Sequence, residues 1–275
     1  DGEGGAIVTW QDFRSGTWDV YAQRVSAAGT PLWTASGVVL GSAGLDQTTP
    51  KILSDGAGGA IVMWLDSRYG EASSYPYAQR VNAAGTPQWT ADGVELCPSG
   101  SVYGPSLVSD GAGGAIVTWH DNRSGYLDVY AQRVNAAGTL QWTATGVALC
   151  TATGNQVNPT IVSDGVGGVI ITWQDLRGGN YDIYAQRVNA AGTPQWTYQG
   201  VVLSDATSEQ SYPAAVSDGA GGAIVTWLDL RSGNYDVYAQ RVNAAGVAQW
   251  TANGVALCTG AGNQLSATIV PDGAG

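Results

Sequence analysis

The motif Asp-Gly-x-Gly-Gly begins at Asp1, Asp55, Asp110, Asp164 and Asp218, and a shortened copy starts at Asp272. These starts lie 54, 55, 54, 54 and 54 residues apart. A chain built of near-identical units must stack them, each unit covering what its neighbour leaves bare. A period near fifty is the length of four short strands with their turns, which is one propeller blade. The expected fold is therefore all-β: a five-bladed β-propeller with four antiparallel strands per blade, one domain over residues 1–275.

Within one repeat the pattern reads as four strands. Residues 159–162 are a short apolar strand, and the Ser-Asp-Gly-Val-Gly-Gly turn follows, in which Asp accepts local backbone N–H bonds and Gly supplies positive φ. Residues 169–173 form a β-branched strand ending on Trp173, residues 174–182 a loop, and residues 183–188 the third strand. Asn189-Ala190-Ala191-Gly192 is the next turn, and the fourth strand is expected over 196–203. A link between blades needs a longer connection than a six-residue turn, and the stretch 150–158 supplies it, which makes 159–162 the inner strand. The chain then starts in the second strand of a blade, at 5–10, and ends in an inner strand, at 267–270. Residues 266–275 would complete the first blade and remove both bare sheet edges, with 272–275 duplicating 1–4 as a double tail.

Composition fits this class, with 40 Gly, 11 Trp and 13 Tyr beside one Phe and one Met. The 22 acidic residues outnumber 11 basic ones, for a net charge of −11. No basic patch exists to displace counterions, which argues against nucleic acid and anionic membranes. No apolar run approaches the roughly 20 residues of a membrane-spanning helix. Cys97, Cys150 and Cys258 close the same segment of their repeats, where Gly41 and Ser204 stand in others. Equivalent positions in different blades lie too far apart to bridge, so free thiols are expected.

The run Pro-Thr-Ile-Val-Ser-Asp-Gly-x-Gly-Gly, the strand ending in Trp, the Arg-x-Gly turn and Asp-Ile-Tyr resemble the TolB-type propeller repeat, and the resemblance covers every unit. Asp-Gly-x-Gly followed by Trp is more distantly similar to the Asp-box of sialidase-like propellers. Repeats of the Gln-Asp-x-Arg-Ser-Gly-x-x-Asp-Ile-Tyr-Ala-Gln-Arg-Val-Asn-Ala-Ala-Gly kind resemble those of uncharacterised secreted bacterial proteins, which implies a secreted, extracellular location. The Pro of the family's Ser-Pro-Asp-Gly is missing here, and TolB has six blades. The resemblance implies a fold and transfers no catalytic residue.

All ten Arg fall in two repeat positions. Arg14, Arg68, Arg123, Arg177 and Arg231 stand in the loop, and Arg24, Arg80, Arg133, Arg187 and Arg241 in the third strand. Asp12, Asp66, Asp121, Asp175 and Asp229 precede the loop Arg by two residues, and Asp19, Asp128, Asp182 and Asp236 follow it by five. This spacing suits a hairpin clamp of carboxylate on guanidinium or on backbone N–H groups. Ten Trp at two repeat positions, 10, 64, 119, 173 and 227 with 33, 89, 142, 196 and 250, are expected in the core between blades. Loop aromatics are the remaining candidates for binding: Trp18, Tyr181 and Tyr235 at one position, Tyr126 one residue earlier, and Tyr75 in an altered loop. Beside Asp19, Asp128, Asp182 and Asp236 they could stack on the apolar faces of sugars while the carboxylates bond hydroxyls.

Catalysis would call for departures from the repeat. His120 is the single histidine and reads as a surface substitution, and the altered loop 70–76 lacks the loop Asp. Asp46 and Glu209 are the irregular carboxylates of the blade-to-blade links, the pair an arabinanase-type glycosidase would require. No Asp-x-Asp-x-Asp-Gly loop calls for calcium. The expected function is a noncatalytic binding or display module, with glycans as the first ligand class or a protein partner on the loop face, no metal and no cofactor. The alternatives are a five-bladed glycoside hydrolase and a purely structural or engineered scaffold.

Overall fold

The computed structural model describes residues 1–70 and 73–272. Strands and turns account for all regular structure among them, and no helix is present. Nineteen strands form five antiparallel meanders. The first sheet holds β1 (Ala6–Asp12), β2 (Asp19–Val25) and β3 (Val38–Gly41). The second holds β4 (Gln47–Ser54), β5 (Ala60–Asp66), β6 (Tyr75–Val81) and β7 (Val94–Glu95). The third holds β8 (Val102–Ser109), β9 (Ala115–Asp121), β10 (Asp128–Val134) and β11 (Val147–Cys150). The fourth holds β12 (Gln156–Ser163), β13 (Val169–Asp175), β14 (Asp182–Val188) and β15 (Val201–Ser204). The fifth holds β16 (Gln210–Ser217), β17 (Ala223–Asp229), β18 (Asp236–Val242) and β19 (Val255–Cys258). Contacts divide the chain into two compact units, one of residues 1–103, 107–117 and 132–146, the other of 104–106, 118–131 and 147–275.

The central strands follow from their sequence. Val-Ile-Ile-Thr-Trp-Gln-Asp in β13 is β-branched and buried along its whole length. It pairs with β14 without a break, from Val169↔Val188 to Asp175↔Asp182. The turn before it is closed by Asp164, whose Oδ1 accepts the N–H groups of Val166 at 2.9 Å and Gly168 at 2.8 Å. A Cβ on Gly168 would stand 2.4 Å from the Val188 carbonyl oxygen, so only Gly fits that corner.

Several boundaries differ from the pattern. The inner strand is longer than expected, Gln156–Ser163, and carries a bulge between Val157 and Thr160. The link before it shrinks to residues 151–155, no longer than the turn inside the repeat, so link length is not what orders the strands. The fourth strand begins at Val201 rather than at 196. Pro194 makes one isolated bridge to Val188, and the chain then turns, Gly200 N–H donating to the Thr197 carbonyl at 2.9 Å. That turn lifts Trp196 out of its own sheet.

Trp196 is the means by which one sheet seats on the next. Its Nε1–H donates to the Ala244 carbonyl at 3.0 Å, and Arg187 Nη1 donates to the same oxygen at 3.2 Å. Gly246 closes that turn, and a Cβ there would lie 2.7 Å from Trp196 Cγ. In the other unit Trp33 and Arg24 meet Ala83 in this way, and Trp89 and Arg80 meet Ala136. Arg187 is anchored in turn by Asp164, with Nε at 3.0 Å and Nη2 at 2.9 Å from Oδ2. In the other Trp set Trp10 is half-buried, while Trp64, Trp119, Trp173 and Trp227 are among the largest fully buried side chains. At roughly 200 Å² each and about 25 cal/mol/Å², every such ring contributes several kcal/mol.

The expected core position fails for Trp250, which is 38% exposed beside β19, the last strand. Among the described residues, neither Trp250 nor Arg241 makes the bond to an Ala carbonyl that its counterparts make. The expected strand at 267–270 is also not formed, and the first sheet keeps three strands. An inner strand is held by ladder bonds to the second strand of its blade, as β12 is by β13, and residues 267–270 make no such pairing among the described residues. Glu71 and Ala72 of the altered loop, and Gly273 to Gly275 of the expected double tail, lie outside the described residues.

Gly200 offers a test of this packing. It sits at φ +93°, and a Cβ there would lie 2.6 Å from the Trp173 ring and 2.9 Å from the Ala185 carbonyl oxygen. Gly200→Ala is expected to cost about 2–4 kcal/mol in urea unfolding. Gly179→Ala, at φ +100° with open space around it, is expected to cost about 1 kcal/mol. Equal losses would contradict the packing account.

Candidate functional site

The polar ends of β13 and β14 show what the repeated charges do. Asp175 Oδ1 accepts Arg177 Nε at 2.8 Å and Arg177 backbone N–H at 3.0 Å, while Oδ2 accepts Nη2 at 2.6 Å and Trp173 Nε1–H at 2.8 Å. The guanidinium lies 4.0 Å above the Tyr184 ring and also donates to the Gln199 carbonyl at 2.9 Å. The same pairing joins Asp12 to Arg14, Asp66 to Arg68, Asp121 to Arg123 and Asp229 to Arg231. These five carboxylates are saturated by donors of their own hairpins. Burial and the Arg partner meet here, a combination in which loss of one member is costly.

Asp19, Asp128, Asp182 and Asp236 take a different place. All four are at most 5% exposed, so they do not stand beside the loop rings as surface ligands, and they are not bonded to the loop Arg. They brace the loop from within. Asp19 accepts Ser15 Oγ–H at 2.6 Å, Asp182 accepts Asn180 Nδ2 at 2.9 Å, and Asp236 accepts Ser232 at 2.6 Å and Asn234 at 2.8 Å. Asp128 accepts Ser124. The second repeat has Tyr75 at this position, opposite Asp66, with its ring edge-on to Tyr69 at 5.4 Å.

The loop aromatics are tied to the start of the next sheet. Trp18 N–H donates to Asp46 Oδ1 at 3.0 Å, its carbonyl accepts Gln47 N–H at 2.6 Å, and its ring lies 5.0 Å from Phe13. Tyr181 O accepts Gln210 N–H at 2.7 Å, and Tyr235 O accepts Gln264 N–H at 2.6 Å. Leu127 holds this position in the third repeat, its carbonyl accepting Gln156 N–H at 2.5 Å, and leaves Tyr126 exposed beside it. Asp46 and Glu209 occupy one repeat position, immediately before Gln47 and Gln210, and their carbonyls accept Ser67 and Leu230 N–H at 2.9 Å. Asp46 is a loop cap.

His120 is buried, not on the surface as its solitary occurrence suggests. Burial is the main cause that pulls its pKa down to about 4. A Cβ at Gly104 would meet His120 Cε1 at 2.9 Å, so the imidazole occupies space that this Gly leaves. Among the described residues no disulfide joins the three cysteines, Cys97 and Cys150 being buried and Cys258 exposed. Burial pushes the Cys150 thiol up to about 12, beside Arg177 Nη2 at 3.0 Å.

One feature that strand patterns do not reveal is the inner bulge. Thr49, Asn158, Tyr212 and Ser266 all have φ between 50° and 57°, and Gly104 takes the same conformation at 55°. Non-Gly residues there are strained by about 1–3 kcal/mol. The bulge is held from the preceding sheet, Gln11 Oε1 accepting Thr49 N–H and Gln174 Oε1 accepting Tyr212 N–H, both at 3.1 Å. Beside the fifth-repeat bulge lies a cavity of about 420 Å³ lined by Tyr212, Leu228, Tyr235, Leu265, Ser266 and Ala267. Of the sequence candidates it includes Tyr235 alone. Tyr212 would have been found by comparing the residue before each inner-strand proline, where Thr, Gly, Asn and Tyr alternate.

Asp182 carries the largest upward shift of the loop acids, to about 6, caused by burial first and then by the charges of Asp205 and Asp175. A folded pKa above that of the unfolded chain means the folded state binds the proton more tightly, so stability falls as pH rises from about 4 to about 6. Asp182→Asn is expected to raise the melting temperature above pH 7 and to flatten that fall. An unchanged pH profile in thermal melts would show that folding does not raise the Asp182 pKa.

No family model matches the chain, and no curated protein matches it. Solved structures do. An ulvan lyase, a polysaccharide lyase, superposes with a TM-score of 0.56 at 13% identity over 90% of this chain and 67% of the lyase chain. A putative TolB from Agrobacterium tumefaciens gives 0.47 at 17% identity over 89% of this chain and 80% of that one. An α-L-arabinanase from Penicillium chrysogenum, complexed with arabinobiose, gives 0.47 at 14% identity over 84% and 76%. At 13% identity, the superposition on the lyase is a likeness of fold alone.

Proposed function

We propose that the five sheets are the blades of one five-bladed propeller, closed by the segment 267–270 beside β1, and that it serves as a secreted, noncatalytic module that binds glycans. Bare faces at the two ends of the repeat series support closure. Val8 in β1 is 52% exposed where its counterparts Val62, Val117, Ile171 and Val225 are fully buried or nearly so. Leu257 in β19 is 59% exposed where Leu40 is at 2% and Leu149 and Leu203 at 3%. Each end lacks the neighbour that its interior counterparts have.

The observation that carries the binding reading is the saturation of the repeated carboxylates. Asp175 and its equivalents accept from Arg, Trp and backbone donors at once, so their lone pairs serve the hairpin. The loops leave part of their aromatic surface accessible, with Trp18, Tyr181 and Tyr235 half-buried and Tyr126 exposed, and such surface suits stacking on sugar rings. The rival reading is a glycoside-acting enzyme, favoured by Asp182, whose carboxyl near 6 falls in the range of a general acid. A glycan array decides between absence and presence of binding. Trp18→Ala and Tyr181→Ala are expected each to lower affinity for a bound glycan by about tenfold, or ~1.4 kcal/mol. An array without binding removes the reading. Turnover of arabinan that Asp46→Asn, Glu209→Gln or Asp182→Asn abolishes would establish the enzyme instead.

A further inference from the structure

Two departures from the repeat meet in one cavity. At the inner bulge, Tyr212 stands where the other repeats have Thr49, Gly104, Asn158 and Ser266. On the strand beside it, Leu228 stands where Gln11 and Gln174 present an amide to the following bulge. Tyr212 and Leu228 line the cavity of about 420 Å³ together with the loop residue Tyr235 and with Leu265 and Ser266. That volume lies within the range of small-ligand sites, about 300–1,000 Å³.

Its walls are held in place before any ligand arrives. Tyr212 is fixed at φ 53° between the bulge and Pro213, and its N–H is bonded to Gln174 Oε1 at 3.1 Å. Its ring is nevertheless 66% exposed. Tyr235 is tied on both sides of its peptide, N–H to Asn263 Oδ1 at 3.0 Å and carbonyl to Gln264 N–H at 2.6 Å. Leu228 is buried and provides an apolar floor. A strained backbone that displays a tyrosine to solvent gains nothing for the fold from that ring.

Resting on the glycan-binding reading, we propose that Tyr212 and Tyr235 form the primary subsite for a neutral pyranose or furanose ring. The apolar face of the sugar stacks on tyrosine, and the two phenol hydroxyls with Ser266 Oγ bond its ring hydroxyls. A charged sugar is disfavoured. None of the lining residues is Lys or Arg to pair with a uronate or sulfate, and the chain carries a net charge of −11.

Saturation-transfer NMR and calorimetry test this with the methyl glycosides of galactose, glucose, mannose and arabinose, and with glucuronate as the charged control. Binding of at least one neutral glycoside and none of glucuronate is expected. Tyr212→Ala is expected to weaken it by about tenfold or more, the worth of a stacking ring, and Tyr212→Phe by about threefold or less. Tyr198→Ala, at an exposed position outside both the cavity and the loop aromatics, is expected to leave affinity unchanged, with thermal melts checking that every variant is folded. Binding that survives Tyr212→Ala and Tyr235→Ala overturns this subsite while leaving glycan binding elsewhere on the loops intact. Tighter binding of glucuronate overturns the neutral-sugar assignment. No binding of any glycoside to the unaltered protein sinks both.

Discussion

One sheet is seated on the next by a shared carbonyl, and the rest of the architecture depends on that contact. The Ala244 oxygen takes both Trp196 Nε1–H and Arg187 Nη1, and Ala83 and Ala136 do the same for the corresponding donors in the other unit. A peptide oxygen with two donors, under a tryptophan lying on a Gly that has no side chain to obstruct it, fixes both distance and orientation. Two other repeated polar residues prepare these partners. Asp164 holds Arg187, and Gln186 Oε1 holds the backbone N–H groups of Arg187 and Trp196.

Asp175 and Asp182 face each other across β13 and β14, yet their environments diverge. Asp175 is bonded by a guanidinium and an indole, whereas Asp182 has an amide for a partner and two carboxylates as electrostatic neighbours. Burial and those two charges raise the Asp182 carboxyl above the usual range, so it holds a proton more readily than an ordinary Asp. In this chain the arrangement repeats around the hairpins, so it reads first as loop construction.

Much of the fold is legible in the sequence because repetition exposes it. The period, the turn at Asp164 and the buried run of β13 are set by local chemistry, and the structure keeps them. Less legible is whatever depends on a partner one repeat away. Trp196 reads as strand because its neighbours do, but its bond to Ala244, 48 residues on, takes it out of the sheet. Asp19 and Asp12 look alike around Arg14, and only the geometry shows that Asp12 takes the guanidinium while Asp19 takes Ser15. The site was harder still. Loop aromatics catch attention as a ring, whereas Tyr212 is a single substitution at a bulge that strand periodicity does not show.

If the proposed ring closes, the last sheet meets the first, and Cys258, exposed in this structure, tests that junction. Its counterpart Cys150 is buried against Arg177, and Gly41 lies so close to Trp64 that a Cβ would come within 2.6 Å of the ring. Native thiol labelling followed by peptide mass spectrometry measures the outcome for all three cysteines. Ring closure predicts that Cys258 is protected to the degree of Cys97 and Cys150 and becomes reactive only on unfolding. Rapid labelling of Cys258 in the folded protein, with Cys97 and Cys150 untouched, would contradict it.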